Sequence, residues 1–381
     1  MNAVRRAGKA LSGSIPWEEE KRDEILEIFA IAHSWRDAHI YPMRSMRQSL
    51  VGRIRHSGHK GFTAARPKRM TSIRKKLRRF SVKLDQIQDL AGCRAVMDDM
   101  AGVNALVESI KSKLPHELIR EYPYIQEIKD DGYRSHHMVY RFQANADEMP
   151  YDDLRVEVQI RTRLQHSWAT AVEAVGLFRE EDFKAGEGSP DWLRLFRLMS
   201  EEFAVTEGCG DFVDTPTKHR LEEIRHLNDV LNAANVLDDL KNATKFMEDY
   251  LHEESPYYMI TYNLDARSVK VHPEADANIG SSRLDAAETQ IETTPGNRSK
   301  VVLVEVDKLE NLIEAYPNYF GDVTLFVRNL KAICQGDAAV EFTMKPQEVV
   351  PKPKAEVPDL SWFFQGSRRK WVETPKRSGK R

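Results

Sequence analysis

The sequence predicts an α+β fold, a mixed β-sheet flanked by helices, followed by a C-terminal α/β accessory domain. One stretch anchors that expectation. Residues 154–169, LRVEVQIRTRLQHSWA, change their hydrophobic period halfway along. Leu154, Val156, Val158 and Ile160 alternate with Arg155, Glu157, Gln159 and Arg161, and residues two apart share one face of a strand. Then Leu164, Trp168, Ala171 and Val175 fall on one helical stripe. Upstream, further strand patterns are interleaved with amphipathic helices, which points to sheet and helix in one domain. A length of 381 residues, 41% hydrophobic and 30% charged, leaves room for two domains with a sizeable core.

Taken in order, residues 1–17 read as a flexible lead-in. From 17 to about 50 the pattern is helical, with Ile25, Ile28, Phe29, Ala32 and Trp35 on an apolar stripe and Pro42 ending or kinking it. Three glycines and Pro67 make the next segment a loop, after which Thr71 or Ser72 caps a short helix carrying Lys75, Lys76, Arg78 and Arg79. Residues 92–97 read as a buried strand with Asp89 at its mouth and Arg94 within it. Asp98-Asp99 supplies the N-cap of a helix over 102–113. A second strand region covers 118–128, and a third starts at Gly132 with Tyr133, Ser135, His137 and Val139 on one face. The fourth is 154–161. These elements make a domain over 18–183, closed by the Gly- and acid-rich break EEDFKAGEGSPD. Helices over 192–205 and 218–251, strands over 257–263 and 301–306, a helix after Asp307 and an apolar run at 323–327 then make an accessory domain over 190–345. Residues 346–381, with Pro-Lys-Pro-Lys and little apolar content, read as a basic mobile tail.

The net charge of −2 hides a segregation: residues 38–84 hold fourteen Lys or Arg and no Asp or Glu, whereas 221–254 is acid-rich. A solvated helix face would carry both signs, so the basic block, densest over 44–83, suits polyanions such as nucleotide phosphates or RNA. No apolar run approaches the roughly 20 residues of a membrane helix, and the N-terminal stretch lacks a secretion-signal core. Three scattered cysteines fit a reducing cytoplasm and no zinc framework.

Neither a G-x-x-x-x-G-K-[ST] loop nor a G-x-G-x-x-G is present, so phosphates would be handled by side chains and metal ions. Arg66, Lys68 and Lys76 supply positive charge. Asp89 and Glu157, at neighbouring strands, suit Mg²⁺, which takes one or two carboxylates together with phosphate oxygens. Tyr133 is a candidate platform for a base, worth on the order of 1–3 kcal/mol. His136 and His137 point to opposite faces and make a poor metal clamp.

The blocks RPKRMTSIRKK (66–76), DLAGCR (89–94), GYRSHH (132–137) and EVQIRT (157–162), with Trp168-Ala169, resemble in order and spacing the synthetase domain of the RelA/SpoT family. The resemblance spans about 20–180. No His-Asp hydrolase motif precedes it, so the chain resembles the synthetase-only members. It implies transfer of the β,γ-pyrophosphate of ATP to the 3′-hydroxyl of a guanosine nucleotide with Mg²⁺, on a nucleotidyltransferase-like fold. By position it implies that Arg66 and Arg94 sandwich adenine, that Lys68, Ser72 and Lys76 hold the phosphates, and that Asp89 holds Mg²⁺. Glu157 would be a second ligand or the base for the acceptor hydroxyl. Tyr133 would stack on guanine, with Lys129, His137, Gln159 and Arg161 on the acceptor side.

Three departures fall mainly on that side: Asp131 stands where the family usually has Asn, Pro123 precedes Tyr124 in place of an acid, and Glu173 is one place later than usual. A toxin variant of the same family, modifying the 3′ end of tRNA through block 44–83 or making the adenosine analogue, is the alternative. The accessory domain resembles built-in antitoxin or phage-sensing segments. Its acidic stretch 221–254 would cover the basic block, and truncation before Asp191 would raise activity. A structural or oligomerisation role is the other use of that domain.

Overall fold

The computed structural model describes residues 1–341 apart from 14, 16–18, 180, 182, 184–187, 214, 244, 248–254, 307–308 and 318–321. Among the described residues there are nine strands, β1 (Gly61–Pro67), β2 (Ala91–Met97), β3 (Glu117–Pro123), β4 (His136–Arg141), β5 (Arg155–Thr162), β6 (Lys245–Met247), β7 (Tyr257–Asn263), β8 (Ser268–Glu274) and β9 (Ser299–Val306). They make a single mixed sheet in the order β3-β4-β5-β2-β1-β9-β7-β8-β6. β2 and β5 run parallel, Gly92 beside Glu157 and Arg94 beside Gln159, whereas β1 and β4 are antiparallel to their neighbours. This is the expected mixed sheet with flanking helices. Val156, Val158 and Ile160 of β5 are fully buried beneath α3 (Ile40–Ser57) and α5 (Met100–Lys113), as the alternation requires. Glu157 and Gln159 face the other way. Asp99 caps α5, its carboxylate accepting from the Gly102 amide at 2.7 Å. Leu164, Trp168, Ala171 and Val175 of α6 (Arg163–Arg179) are buried.

The second group of strands does not form a sheet of its own. β9 (Ser299–Val306) pairs with β1 through Ala64–Val306 and Ala65–Glu305, and then come β7 (Tyr257–Asn263), β8 (Ser268–Glu274) and β6 (Lys245–Met247). Phe62, Ala64 and Val96 share one apolar cluster with Tyr258, Ile260, Val302 and Val304. On the other side Trp168 and Val172 of α6 enter a helical core with α7 (Pro190–Thr206), α8 (Thr217–Leu231), α9 (Ala233–Ala243) and α12 (Thr324–Gln335). The expected boundary between 183 and 190 is therefore corrected, because residues 1–342 form one compact unit.

Other expectations are corrected for physical reasons. Residues 2–12 are not loose: α1 (Asn2–Ser12) buries Ala7 and Leu11 against α2 (Arg22–Asp37) and α4 (Met70–Arg79). The helix expected over 17–50 is two, since the chain turns between α2 and α3 and Pro42 sits in the first turn of α3, where its missing N–H is tolerated. β1 was expected as a loop. It lies between two strands and is buried almost throughout, so it shows no alternation, and its terminal glycine and proline read as turn residues. Neither Thr71 nor Ser72 caps α4, whose N-cap position is Arg69. The pattern at 218–251 breaks at Asn232, in the left-handed region at φ 49°. The apolar run 323–327 opens helix α12. β8 and α10 (Ala277–Thr293) had no sequence expectation at all.

Part of the basic block meets acids of β9 and α10. Arg47 is buried against Glu305 of β9 at 3.0 Å, and Arg74 pairs with Glu292 of α10. Arg36, just upstream of the block, is fully buried and bonds Glu288 at 2.6 Å and also Asp285. Within 221–254, α8 and α9 pack on α6, α7 and α12, and β6 pairs with β8. The tail 346–381 lies outside the described residues. Among the described residues no helix is long and apolar enough to cross a membrane.

Candidate active site

The sheet geometry brings Asp89 and Glu157 to one cleft. Asp89 precedes β2 and Glu157 lies on β5 opposite Gly92, a position with no side chain to intervene. Both carboxylates line a hollow of about 90 Å³ together with Arg66, Lys68, Arg94 and Gln159. It adjoins a larger cleft of about 900 Å³ that also contains Arg66, Lys68 and Arg94 and reaches Ser72 and Lys75 of α4.

Asp89 is held by two ammonium groups. Lys68 Nζ donates to Oδ2 at 2.8 Å and Lys76 Nζ to Oδ1 at 2.9 Å. Burial opposes ionisation of Asp89, but the two lysines outweigh it and hold the carboxyl below its ordinary range. Lys68 is drawn below its own ordinary value, burial prevailing over the attraction of Asp89. α4 exposes one edge to solvent and turns Lys76 inward, while Ile73 and Leu77 anchor its other face.

Glu157 has different partners. His137 Nδ1 donates to its Oε1 at 3.1 Å and the Gln159 amide to Oε2 at 2.7 Å. Burial disfavours its charge, yet the His137 bond and charge prevail and its carboxyl is also held low. Asp89 pushes the other way, so the two carboxylates sense each other. His137 is raised to about 9. Burial works against the imidazolium, and the Tyr133 hydroxyl and Glu157 at its two nitrogens more than compensate. At neutral pH both ring nitrogens therefore carry protons, and Nε2 donates to Tyr133 Oη at 2.8 Å. His136 faces away, to Glu121 at 2.8 Å.

Tyr133 precedes β4 rather than lying in it, at the end of a tight turn. Gly132 has φ 88°, and a Cβ there would come within 3.1 Å of Trp168 Cζ2 and of the Arg197 backbone. Asp131 is a turn former: its Oδ1 accepts from the Tyr133 amide at 2.9 Å. Lys129 lies with its ammonium 4.0 Å from the Tyr124 ring centre and 5.3 Å from that of Tyr133. α7 braces the turn. Ser200 Oγ donates to Gly132 O at 2.5 Å and Arg197 donates to Lys129 O.

Of the residues singled out from sequence, Arg66, Lys68, Asp89, Arg94, Glu157 and Gln159 meet in the smaller hollow. Ser72 is in the larger cleft, Lys76 reaches in through Asp89, and His137 with Tyr133 stands behind Glu157. Lys129 is exposed on the same tyrosine cluster. Arg161 is a correction to the acceptor set: it is only 3% exposed and lies beneath the cleft, donating to His166 Nδ1. Sequence reasoning missed Tyr124 as a packing partner of Tyr133 and His137, and it missed every contribution from beyond residue 190. Tyr316 lines both clefts, and Arg298 and Lys300 line the larger. No local pattern marks them, because the pairing of β9 with β1 is what delivers them.

Residues 65–182 match the family described as the region found in RelA/SpoT proteins. The chain is 34% identical over 148 residues to GTP pyrophosphokinase YjbM of Bacillus subtilis, across 38% of this chain and 66% of that protein. It is 29% identical over 115 residues to GTP pyrophosphokinase YwaC of the same organism, across 28% and 54%. The matches thus span less than two thirds of either relative. Among solved structures, it is similar to small alarmone synthetase 1 from Bacillus subtilis bound to its product pppGpp, with 22% identity and a TM-score of 0.39 over 46% of this chain and 93% of that one. A GTP pyrophosphokinase family protein from Streptococcus pneumoniae gives 22% and 0.40, over 47% and 90%.

Proposed function

We propose that the chain, whose residues 65–182 match the region found in RelA/SpoT proteins, is an ATP-dependent pyrophosphokinase that moves the β,γ-pyrophosphate of ATP to the 3′-hydroxyl of a guanosine nucleotide. The convergence of Asp89 and Glu157 on one cleft with Lys68, Arg66 and Arg94 carries the reading. The acceptor hydroxyl attacks the β-phosphorus, the bond between the β-phosphorus and its bridging oxygen to the α-phosphate breaks, and AMP leaves. Such transfer depends on positioning and charge neutralisation more than on covalent chemistry.

The donor set fits Mg²⁺. Both carboxylates are ionised, all their ligand atoms are oxygens, and each oxygen bonded to a lysine, histidine or amide retains a second lone pair. Asp89 and Glu157 would hold the ion, which when bound shields phosphate oxygens and acidifies a nearby hydroxyl. Lys68 and Lys76, already ordered by Asp89, neutralise the phosphates without rearranging. Arg66 and Arg94 hold the adenine. Glu157 suits a ligand better than a general base, because a base working near neutrality needs a raised pKa and this one is lowered. His137 and Gln159 orient it, and Tyr133 offers its ring to the acceptor base.

A second reading, tRNA as acceptor, has one observation in its favour. Lys75, Arg78 and Arg79 of α4 line an open hollow, and beyond them Phe80 is 54% exposed. Cationic side chains beside an exposed ring suit a nucleic-acid strand, with binding that weakens steeply as salt rises. Incubation with γ-labelled ATP and GDP, GTP, ADP or deacylated tRNA decides the acceptor. Label on GDP or GTP supports the first reading. Label confined to tRNA or to ADP overturns it.

A further inference from the structure

We infer that the donor-nucleotide site is built jointly by the two halves of the chain, with Tyr316 acting as the positioning residue for Arg94. This deepens the functional reading above and rests on it. The larger cleft has one wall from β1, β2 and α4 and another from the C-terminal half, where Tyr316, Arg298 and Lys300 face Arg66, Lys68 and Arg94. Arg94 does not reach into this space unsupported. Its Nη1 donates to the Ala315 carbonyl at 3.1 Å, and its guanidinium lies 5.8 Å from the Tyr316 ring centre. A guanidinium tied to a carbonyl and an aromatic ring has lost most of its rotamer freedom before any ligand arrives.

The end of α11 (Leu309–Ala315) is itself fixed, which is what makes Tyr316 a wall. Tyr316 is 4% exposed and belongs to the cluster of Phe62, Ala64, Val304 and Leu312 that joins β1 to β9. The Glu314 carbonyl accepts from His166 Nε2 at 2.6 Å, and its carboxylate pairs with Arg163 at 3.1 Å. His166 is kept neutral, burial first and the neighbouring arginines second, so with Arg161 donating to Nδ1 its single proton sits on Nε2. Arg161, Arg163 and His166 thus dock the segment that orients Arg94, which gives Arg161 a place in the site although it lies under the cleft.

The test compares Tyr316→Phe and Tyr316→Leu in the full chain, with Arg94→Ala alone and combined with Tyr316→Leu. Equilibrium binding of a fluorescent ATP analogue is read beside KM for ATP, KM for the acceptor and thermal melting. Leucine keeps apolar bulk in the cluster but loses the ring, so it separates positioning from folding. Tyr316→Phe should bind as the wild type does. Tyr316→Leu should weaken ATP binding about five- to tenfold, leave the acceptor KM unchanged, and add nothing further once Arg94 is alanine. Wild-type affinity in Tyr316→Leu, or additive effects in the double variant, overturns the proposal, and so does tighter ATP binding, which would make the segment a plug. Weakened binding in a protein that transfers pyrophosphate to no acceptor upholds the shared site and overturns the functional reading alone. A wild type that binds no ATP analogue overturns both.

Discussion

Asp89 carries two duties that substitution separates. Its carboxylate orders Lys68 and Lys76, and it is one of the two acids proposed to hold Mg²⁺. Asp89→Asn keeps the shape and removes the charge. Product formation should fall by about 10²–10³-fold, as when a preorganised electrostatic group is lost, while the melting temperature stays within a few degrees of wild type. Unchanged turnover in Asp89→Asn would remove Asp89 from the chemistry. His137 sets the alkaline limit. Its pKa in the folded protein is about 9, above the ordinary value of 6.5. A group raised on folding stabilises fully below its unfolded pKa, and that contribution is lost as pH climbs through the folded one. Rate and melting temperature should therefore decline together around pH 9. His137→Gln, whose amide can still donate to Glu157 without titrating, should flatten that decline. An NMR titration in which His137 loses its proton below pH 7 would contradict this.

The turn ahead of β4 and the seam between β1 and β9 are the two elements on which the site hangs. At the turn, Gly132→Ala forces a Cβ into Trp168 and the Arg197 backbone at a positive φ. The strain is about 1–3 kcal/mol. Its functional sign should be a raised KM for the acceptor with ATP binding spared, since Lys129 and Tyr133 move while Arg66 and Lys68 do not. At the seam, Arg47 and Glu305 are both nearly fully buried and 3.0 Å apart. Arg47→Met removes the nearer of the two arginines beside Glu305, leaving Arg44 at 4.0 Å, a loss of up to about 3–5 kcal/mol, and adding Glu305→Leu should restore much of it. Chemical denaturation of the three variants measures both effects, and an unaltered Arg47→Met would show that the seam contributes little.

β5 was legible in the sequence because its buried residues alternate with partly exposed ones, and α6 because its apolar side chains fall on one stripe, although its polar Gln165, His166, Ser167 and Thr170 are buried as well. The same holds for the acids and lysines of the cleft, which lie close to strand ends in ordered blocks. β1 was illegible because, unlike β5, it is buried on both faces. α10 was illegible because its buried residues are mostly small or acidic, Ala277, Gly280, Ser281 and Glu288 around a single Leu284, although they pack on Tyr257, Val301 and Leu303 as well as on buried Arg36. The joining of the two halves could not be read either. It depends on β9 finding β1 across more than 230 residues of chain, and no local pattern encodes a partner at that separation.

Ending the chain before Asp191 would strip β9 from β1 and α7 from α6, exposing Phe62, Val96, Trp168 and Val172. Such a fragment should be insoluble or lack a cooperative unfolding transition. A soluble fragment with raised activity would show that the two halves are separable after all.

The chemistry itself is settled by counting products. With ATP and GDP, the wild type should yield AMP and a guanosine nucleotide heavier by two phosphoryl groups in equal amounts, and Asp89→Asn and Glu157→Gln, with melting temperatures within a few degrees of wild type, should yield both at least about a hundredfold more slowly. An acceptor that gains AMP with release of pyrophosphate, or one phosphoryl group with release of ADP, would mean that the outer two phosphates do not leave together.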